Sequence, residues 1–136
     1  MMLSSERVRR PTPRHSMASW SLSERPGYLR LWGTAQSLDG SGPLAFVGRR
    51  QQHFCCRARA RLSFKPLSEG QEAGLTALMN EEHHYEIALT VREGQRVLLL
   101  RKRIGDLCVE VAAQSFEGSD VILEIEADHE RYTFSY

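Results

Sequence analysis

Across residues 53–65 apolar and polar positions alternate with a period of two. Phe54, Cys56, Ala58, Ala60, Leu62 and Phe64 fall on one parity, and Arg57, Arg59, Arg61, Ser63 and Lys65 on the other. Successive side chains of a strand point to opposite faces, so this run predicts a strand with one buried and one wet face. The pattern returns in Tyr85, Ile87, Leu89 and Val91 against His84, Glu86, Thr90 and Arg92. It returns again in Leu107, Val109, Val111 and Ala113, in Val121, Leu123 and Ile125, and in Tyr132, Phe134 and Tyr136. Residues 73–79 and 96–104 read as strands with looser alternation. Glu93-Gly94, Gly105-Asp106, Glu117-Gly118-Ser119-Asp120 and Asp128-His129-Glu130 supply turn signals between the runs. No stretch holds a helical period. Short strands at spacings of about 8–12 residues, punctuated this way, predict an antiparallel sandwich or barrel.

Residues 21–33 set two apolar runs on either side of Arg25-Pro26-Gly27. Proline fixes its own φ and glycine tolerates unusual angles, so this tripeptide predicts a turn between strands, with Tyr28, Leu29, Leu31 and Trp32 filling the second.

The chain has 136 residues, 41% hydrophobic and 26% charged, enough for one domain with a sizeable core. No apolar run approaches the roughly 20 residues of a spanning helix, so no membrane partner is expected. Residues 1–16 combine four arginines and two prolines without an amphipathic period, and are expected to be disordered, leaving 17–136 as the ordered domain. Three cysteines, Cys55, Cys56 and Cys108, lack framework spacing; this points to a reducing compartment and a cytoplasmic location. The net charge of +1 conceals two halves of opposite sign: residues 1–65 hold 12 Lys/Arg and 3 Asp/Glu, residues 66–136 hold 6 and 14. Such halves suggest strands that neutralise one another within one fold rather than a nucleic-acid surface, which keeps its basic excess on one face.

Candidate chemistry is sparse. Asp39, Glu69, Glu93, Asp106, Asp120, Glu124 and Glu126 sit at turns or on wet strand faces, and none pairs with another as a general acid and base would. No catalytic residue is assigned. In residues 81–86, EEHHYE, His84 and Glu86 share a strand face, with Glu82 able to join them, yet a two-His site needs a further ligand and a second shell. No metal or cofactor is expected. Cys56 belongs to the apolar set, and Cys55 shares the basic face with Arg57 but has no His–acid relay. Arg57, Arg59 and Arg61, with Arg49 and Arg50, are expected to pair with a strand carrying Glu86, Glu110, Glu124 or Glu126. Aromatics do not interleave with them, as single-strand nucleic-acid binding would favour.

Five segments together resemble the C-terminal domain of family-43 glycoside hydrolases, the β-xylosidases and α-L-arabinofuranosidases. They are WSLSERPGYLRLWG (20–33), RRQQHF (49–54), RARLSFKP (59–66), EAGLTALMNEEHHYEIALT (72–90) and YTFSY (132–136), in the family's order. The resemblance implies an all-β, antiparallel, concanavalin-like (jelly-roll) β-sandwich that follows a five-bladed catalytic propeller. It also implies that this sandwich is incomplete, lacking the first strand before Val8 and the last strands after Tyr136, including a GFTGA-like segment near the active site. The propeller and its carboxylates have no counterpart in the sequence. The expected role is therefore non-catalytic: packing against a propeller chain, or a second copy, through Arg49, Arg50, Gln51, Tyr132, Phe134 and Tyr136. Two alternatives stand beside it. One is an autonomous carbohydrate-binding module taking a xylo-oligosaccharide on Trp20, Tyr28 and Trp32, which serve equally well as core. The other is an inactive gene remnant.

Overall fold

The computed structural model describes residues 20–136, so the expectation for residues 1–16 lies outside the described part. Two compact units divide the described residues, one of residues 49–136 and one of residues 20–48.

In the second unit, β1 (Trp20–Ser21) pairs antiparallel with β2 (Arg30–Leu31), Trp20 opposite Leu31. The Tyr28 N–H donates to the Arg25 carbonyl at 3.0 Å, and Gly27 has φ +81°. Proline at the second position and a positive-φ glycine at the third is the signature of a type II turn. The predicted turn is present, but the strand after it is shorter than expected, because Tyr28, Leu29 and Trp32 lie outside β2. A ribbon of two pairs, with no third strand among the described residues, gains too little to propagate.

The first unit holds seven strands: β3 (Cys56–Ser63), β4 (Ala73–Asn80), β5 (His83–Arg92), β6 (Gln95–Ile104), β7 (Leu107–Ser115), β8 (Asp120–Ala127) and β9 (Tyr132–Ser135). They form a small sheet, β3-β8-β9, and a large one, β4-β5-β6-β7, with every pair antiparallel. Ala58, Val121, Leu123 and Ile125 from the small sheet meet Leu75, Ile87, Leu89 and Leu98 from the large one, with Phe64, Phe116 and Phe134 packed around them. Alternation along the strands thus gives a β-sandwich with one core.

Three differences from the pattern are informative. β3 begins at Cys56, opposite Ala127, where β8 ends; upstream of it Phe54 has nothing to pair with and is 74% exposed, stacked on His129. β5 has no wet face until Arg92: His84, Glu86 and Thr90 are buried along with Ile87 and Leu89. It is a central strand, and its neighbours' side chains close over it. In β7 only Val109 is even half-buried. A bulge between Leu100 and Arg101 sets Ala112 rather than Val111 opposite Leu100, so one parity cannot stay buried along the whole strand.

Candidate functional site

The chemically densest cluster among the described residues lies on the face of the large sheet opposite the core. Register places Thr76 opposite Glu86, Glu86 opposite Arg101 and Arg101 opposite Glu110, one row across all four strands. The Arg101 Nε donates to Glu86 Oε1 at 2.5 Å and its Nη2 to Glu72 Oε2 at 2.6 Å. Arg92 grips Glu110 with both terminal nitrogens, Nη1 to Oε1 at 2.9 Å. The Thr76 hydroxyl donates to the Tyr85 carbonyl at 2.9 Å.

Glu86 is only 6% exposed. Burial pushes its carboxyl above the ordinary range, and the hydrogen bond from Arg101 pulls it only part of the way back. For Arg101 burial acts downward, but the bonds to Glu72 and Glu86 outweigh it and hold the guanidinium firmly charged. Glu110 is held below the usual carboxylate range by the Arg92 hydrogen bond. A raised carboxyl pKa is a feature of general acids. Here, however, Glu86, Glu72 and Glu110 each face a guanidinium at hydrogen-bonding distance, and the row fastens the sheet.

The sequence-predicted residues fall in separate places. Trp20 is half-buried opposite Leu31, the Tyr28 ring lies 3.8 Å beneath the Arg25 guanidinium, and Trp32 is 42% exposed. Among the described residues no ring contact joins these three. In the other unit, Gln51 and Tyr132 are brought together: the Tyr132 hydroxyl donates to Gln51 Oε1 at 2.8 Å, while Gln51 Nε2 donates to the His53 carbonyl at 2.8 Å. The Tyr132 ring also meets Tyr85 at 5.9 Å. Phe134 is half-buried against the core, Tyr136 is exposed, and Arg49 and Arg50 are exposed, with Arg49 reaching Gln52 at 3.5 Å.

In the arginine row, Arg57 pairs with Glu126 at 3.0 Å and Arg59 with Glu124 at 3.8 Å, two of the expected carboxylates, whereas Arg61 pairs with Asp120 at 2.7 Å and Glu86 and Glu110 pair with Arg101 and Arg92 instead. In the EEHHYE stretch, His83 Nδ1 lies 3.1 Å from Asn80 Oδ1, and His84, on the same face as Glu86, is buried with its Nδ1 3.4 Å from the Asn80 carbonyl oxygen. Among the described residues no group of three His, Cys, Asp or Glu gathers as a metal site. The three cysteines are free; burial pushes the Cys56 thiol up, the reverse of what a reactive thiolate requires.

The β-xylosidase C-terminal concanavalin A-like domain family matches residues 11–136. The chain belongs to this family. Among curated proteins, a non-reducing-end α-L-arabinofuranosidase from Bacteroides ovatus is 41% identical over 90% of this chain and 23% of its own length. A xylan 1,3-β-xylosidase from a Vibrio species is 34% identical over 85% of this chain and 22% of its own. Among solved structures, a family-43 protein of the Bacteroides ovatus xyloglucan locus superposes with a TM-score of 0.82 at 39% identity, covering 88% of this chain and 24% of that one. A family-43 protein from Bacillus licheniformis gives 0.80 at 26%, covering 87% and 23%. This family-43 sandwich chain thus spans about a quarter of the length of the proteins it matches.

Sequence reasoning missed the Glu72–Arg101–Glu86 and Gln51–Tyr132 contacts. The first was within reach. A two-residue loop at Glu93-Gly94 fixes the hairpin register, and from it Glu86 opposite Arg101 follows. The second joins residues 81 positions apart and leaves no local signal.

Proposed function

We propose that this chain is a non-catalytic accessory β-sandwich of a β-xylosidase-like glycosidase acting on xylan or arabinoxylan oligosaccharides. It packs against a catalytic propeller and helps to shape the substrate entrance. One observation carries this reading: residues 11–136 correspond to a C-terminal domain that occupies about a quarter of its relatives. The tying of Glu72, Glu86 and Glu110 to arginines supports it, since inverting hydrolysis needs an acid and a base free to flank the sugar. Gln51 and Tyr132, joined by a hydrogen bond, anchor the proposed packing surface together with Arg49, Arg50, Phe134 and Tyr136. The three free thiols favour a cytoplasmic location.

The exposure of Trp32 favours a second reading, an autonomous carbohydrate-binding module stacking a sugar on that ring. Assays of the purified chain separate these. No turnover of aryl-xylosides or aryl-arabinosides and no retention on xylan is expected. Turnover abolished by changing one of its own Asp or Glu residues would overturn the non-catalytic reading. Retention on xylan lost in Trp32→Ala would establish the binding module instead.

A further inference from the structure

Among the described residues of the first unit, two connections carry the chain between its sheets: residues 64–72, from β3 to β4, and residues 116–119, from β7 to β8. The other connections there join neighbours within one sheet. The two crossovers are held differently. Within 64–72 the Leu67 N–H donates to Gln71 Oε1 at 2.8 Å. The Gln71 carbonyl accepts from the Thr90 hydroxyl at 3.0 Å, and Glu69 Oε1 accepts from the Glu93 N–H at 2.9 Å. That crossover is fastened to β5 and to the turn after it.

Residues 116–119 depend instead on Arg96. Outside the strand ladders they make one backbone hydrogen bond, from the Phe116 N–H to the Arg96 carbonyl at 2.9 Å. The Arg96 side chain shares the core-facing parity of Leu98, so it reaches between the sheets at their end. Its Nη1 donates to the Gly118 carbonyl and its Nη2 to the Phe64 carbonyl at 3.2 Å, one from each crossover. The guanidinium also lies over the Phe116 ring, 5.4 Å from its centroid. That ring folds back on Gly118, where an added Cβ would sit 2.5 Å from Phe116 Cζ. Nε is buried without a hydrogen-bond partner, a cost that the two carbonyl bonds and the ring contact offset.

We infer that residues 116–119 are a strap across the end of the core, latched by Arg96, which opens as a unit while both sheets stay paired. The β6–β7 ladder ends at Ser115 and the β3–β8 ladder begins at Asp120, so releasing the strap unzips neither. Opening breaks the Arg96 bonds and swings the Phe116 ring away from the core it packs against. The 64–72 crossover loses one bond, at Phe64, and keeps its other three ties.

Native-state hydrogen exchange of the full chain tests this. The Phe116 amide should exchange about tenfold or more faster than the β5 amides, with almost no dependence on denaturant, because local opening exposes little surface. Arg96→Met keeps the apolar stem and removes the latch. It should speed exchange at Phe116 by a further tenfold or more, leaving the Leu67, Glu93 and β5 amides at their original rates. Cleavage after Glu117 by a glutamyl endopeptidase should rise in parallel. Unchanged exchange at Phe116 in Arg96→Met would overturn the proposal. So would acceleration shared equally by Leu67, Glu93 and β5, or loss of the cooperative fold, since either would make Arg96 a support of the whole sandwich and not a latch on one strap.

Discussion

Replacing Arg101 by alanine strips Glu86 of its partner while leaving the carboxyl in place. Breaking a buried ion pair by removing one member costs about 3–5 kcal/mol, because the remaining charge is stranded. Glu86 is nearly inaccessible, but the Arg101 side chain is 24% exposed and Glu72 can return to water. The lower end, about 3 kcal/mol at pH 7, is therefore expected. In a domain of this size that corresponds to a fall in Tm on the order of 15 °C. The loss should depend on pH in a definite direction. Without Arg101 the folded-state pKa of Glu86 rises further above its unfolded value, so the folded state holds the proton more tightly. Stability is then greatest at low pH and is lost as pH rises through the folded-state value, by at most about 1.4 kcal/mol per unit. Chemical denaturation at pH 5 and pH 7 should show the cost of Arg101→Ala shrinking by about 1–2 kcal/mol at the lower pH. Glu86→Gln alone should cost about 1 kcal/mol or less, since Arg101 keeps Glu72, and Arg101→Ala/Glu86→Gln should recover most of the loss. A cost that is the same at both pH values, or a double variant equal to the sum of its parts, would refute the stranded-charge explanation.

Two further substitutions test the packing. Leu62→Asp points a carboxylate at the core side of β3 and should cost several kcal/mol, whereas Arg59→Ala, on the solvent side, should stay within about 0.5 kcal/mol; equal losses in thermal melts would mean that the faces are reversed. Gly74→Ala should destabilise by about 1–3 kcal/mol, because an added Cβ would lie 2.0 Å from the Ile87 carbonyl oxygen and 2.7 Å from Ala88 Cα, so β4 must move off β5; an unchanged denaturation midpoint would show that the strands separate freely.

What the alternation could convey was the existence and facing of strands whose two sides differ. β3 shows it most directly: Ala58 is buried and Arg57, Arg59 and Arg61 are exposed, because one side meets the core and the other water. The same logic fails on β5, where His84, Glu86 and Thr90 look solvated but are enclosed by β4 and β6. Burial there depends on which strands flank it, a tertiary fact that polarity along one strand does not record. It fails on β7 because a bulge changes parity within the strand. Leu107 and Val111 therefore look like core and are exposed. For the candidate site, opposite charges on alternating strands pointed to Glu124 and Glu126 only among other carboxylates; that β8 is the partner strand, with Asp120 facing Arg61, comes from the register. The Glu72–Arg101–Glu86 cluster required register as well as pattern. Trp20, Tyr28 and Trp32 could not be resolved into core or platform, since an aromatic ring satisfies either environment equally.

Central to the proposed function is an accessory sandwich that engages a catalytic propeller. The direct measurement takes the Bacteroides ovatus arabinofuranosidase relative, produced without its own C-terminal sandwich, and titrates it with this chain by calorimetry. Hydrolysis of an aryl-arabinofuranoside is followed in parallel. The account predicts a saturable one-to-one complex, higher activity or thermal stability of the propeller in that complex, and weakening by at least tenfold when Gln51 and Tyr132 are both replaced by alanine. A chain that neither binds the propeller nor changes its activity or stability, under conditions where the propeller's own sandwich does both, would contradict it.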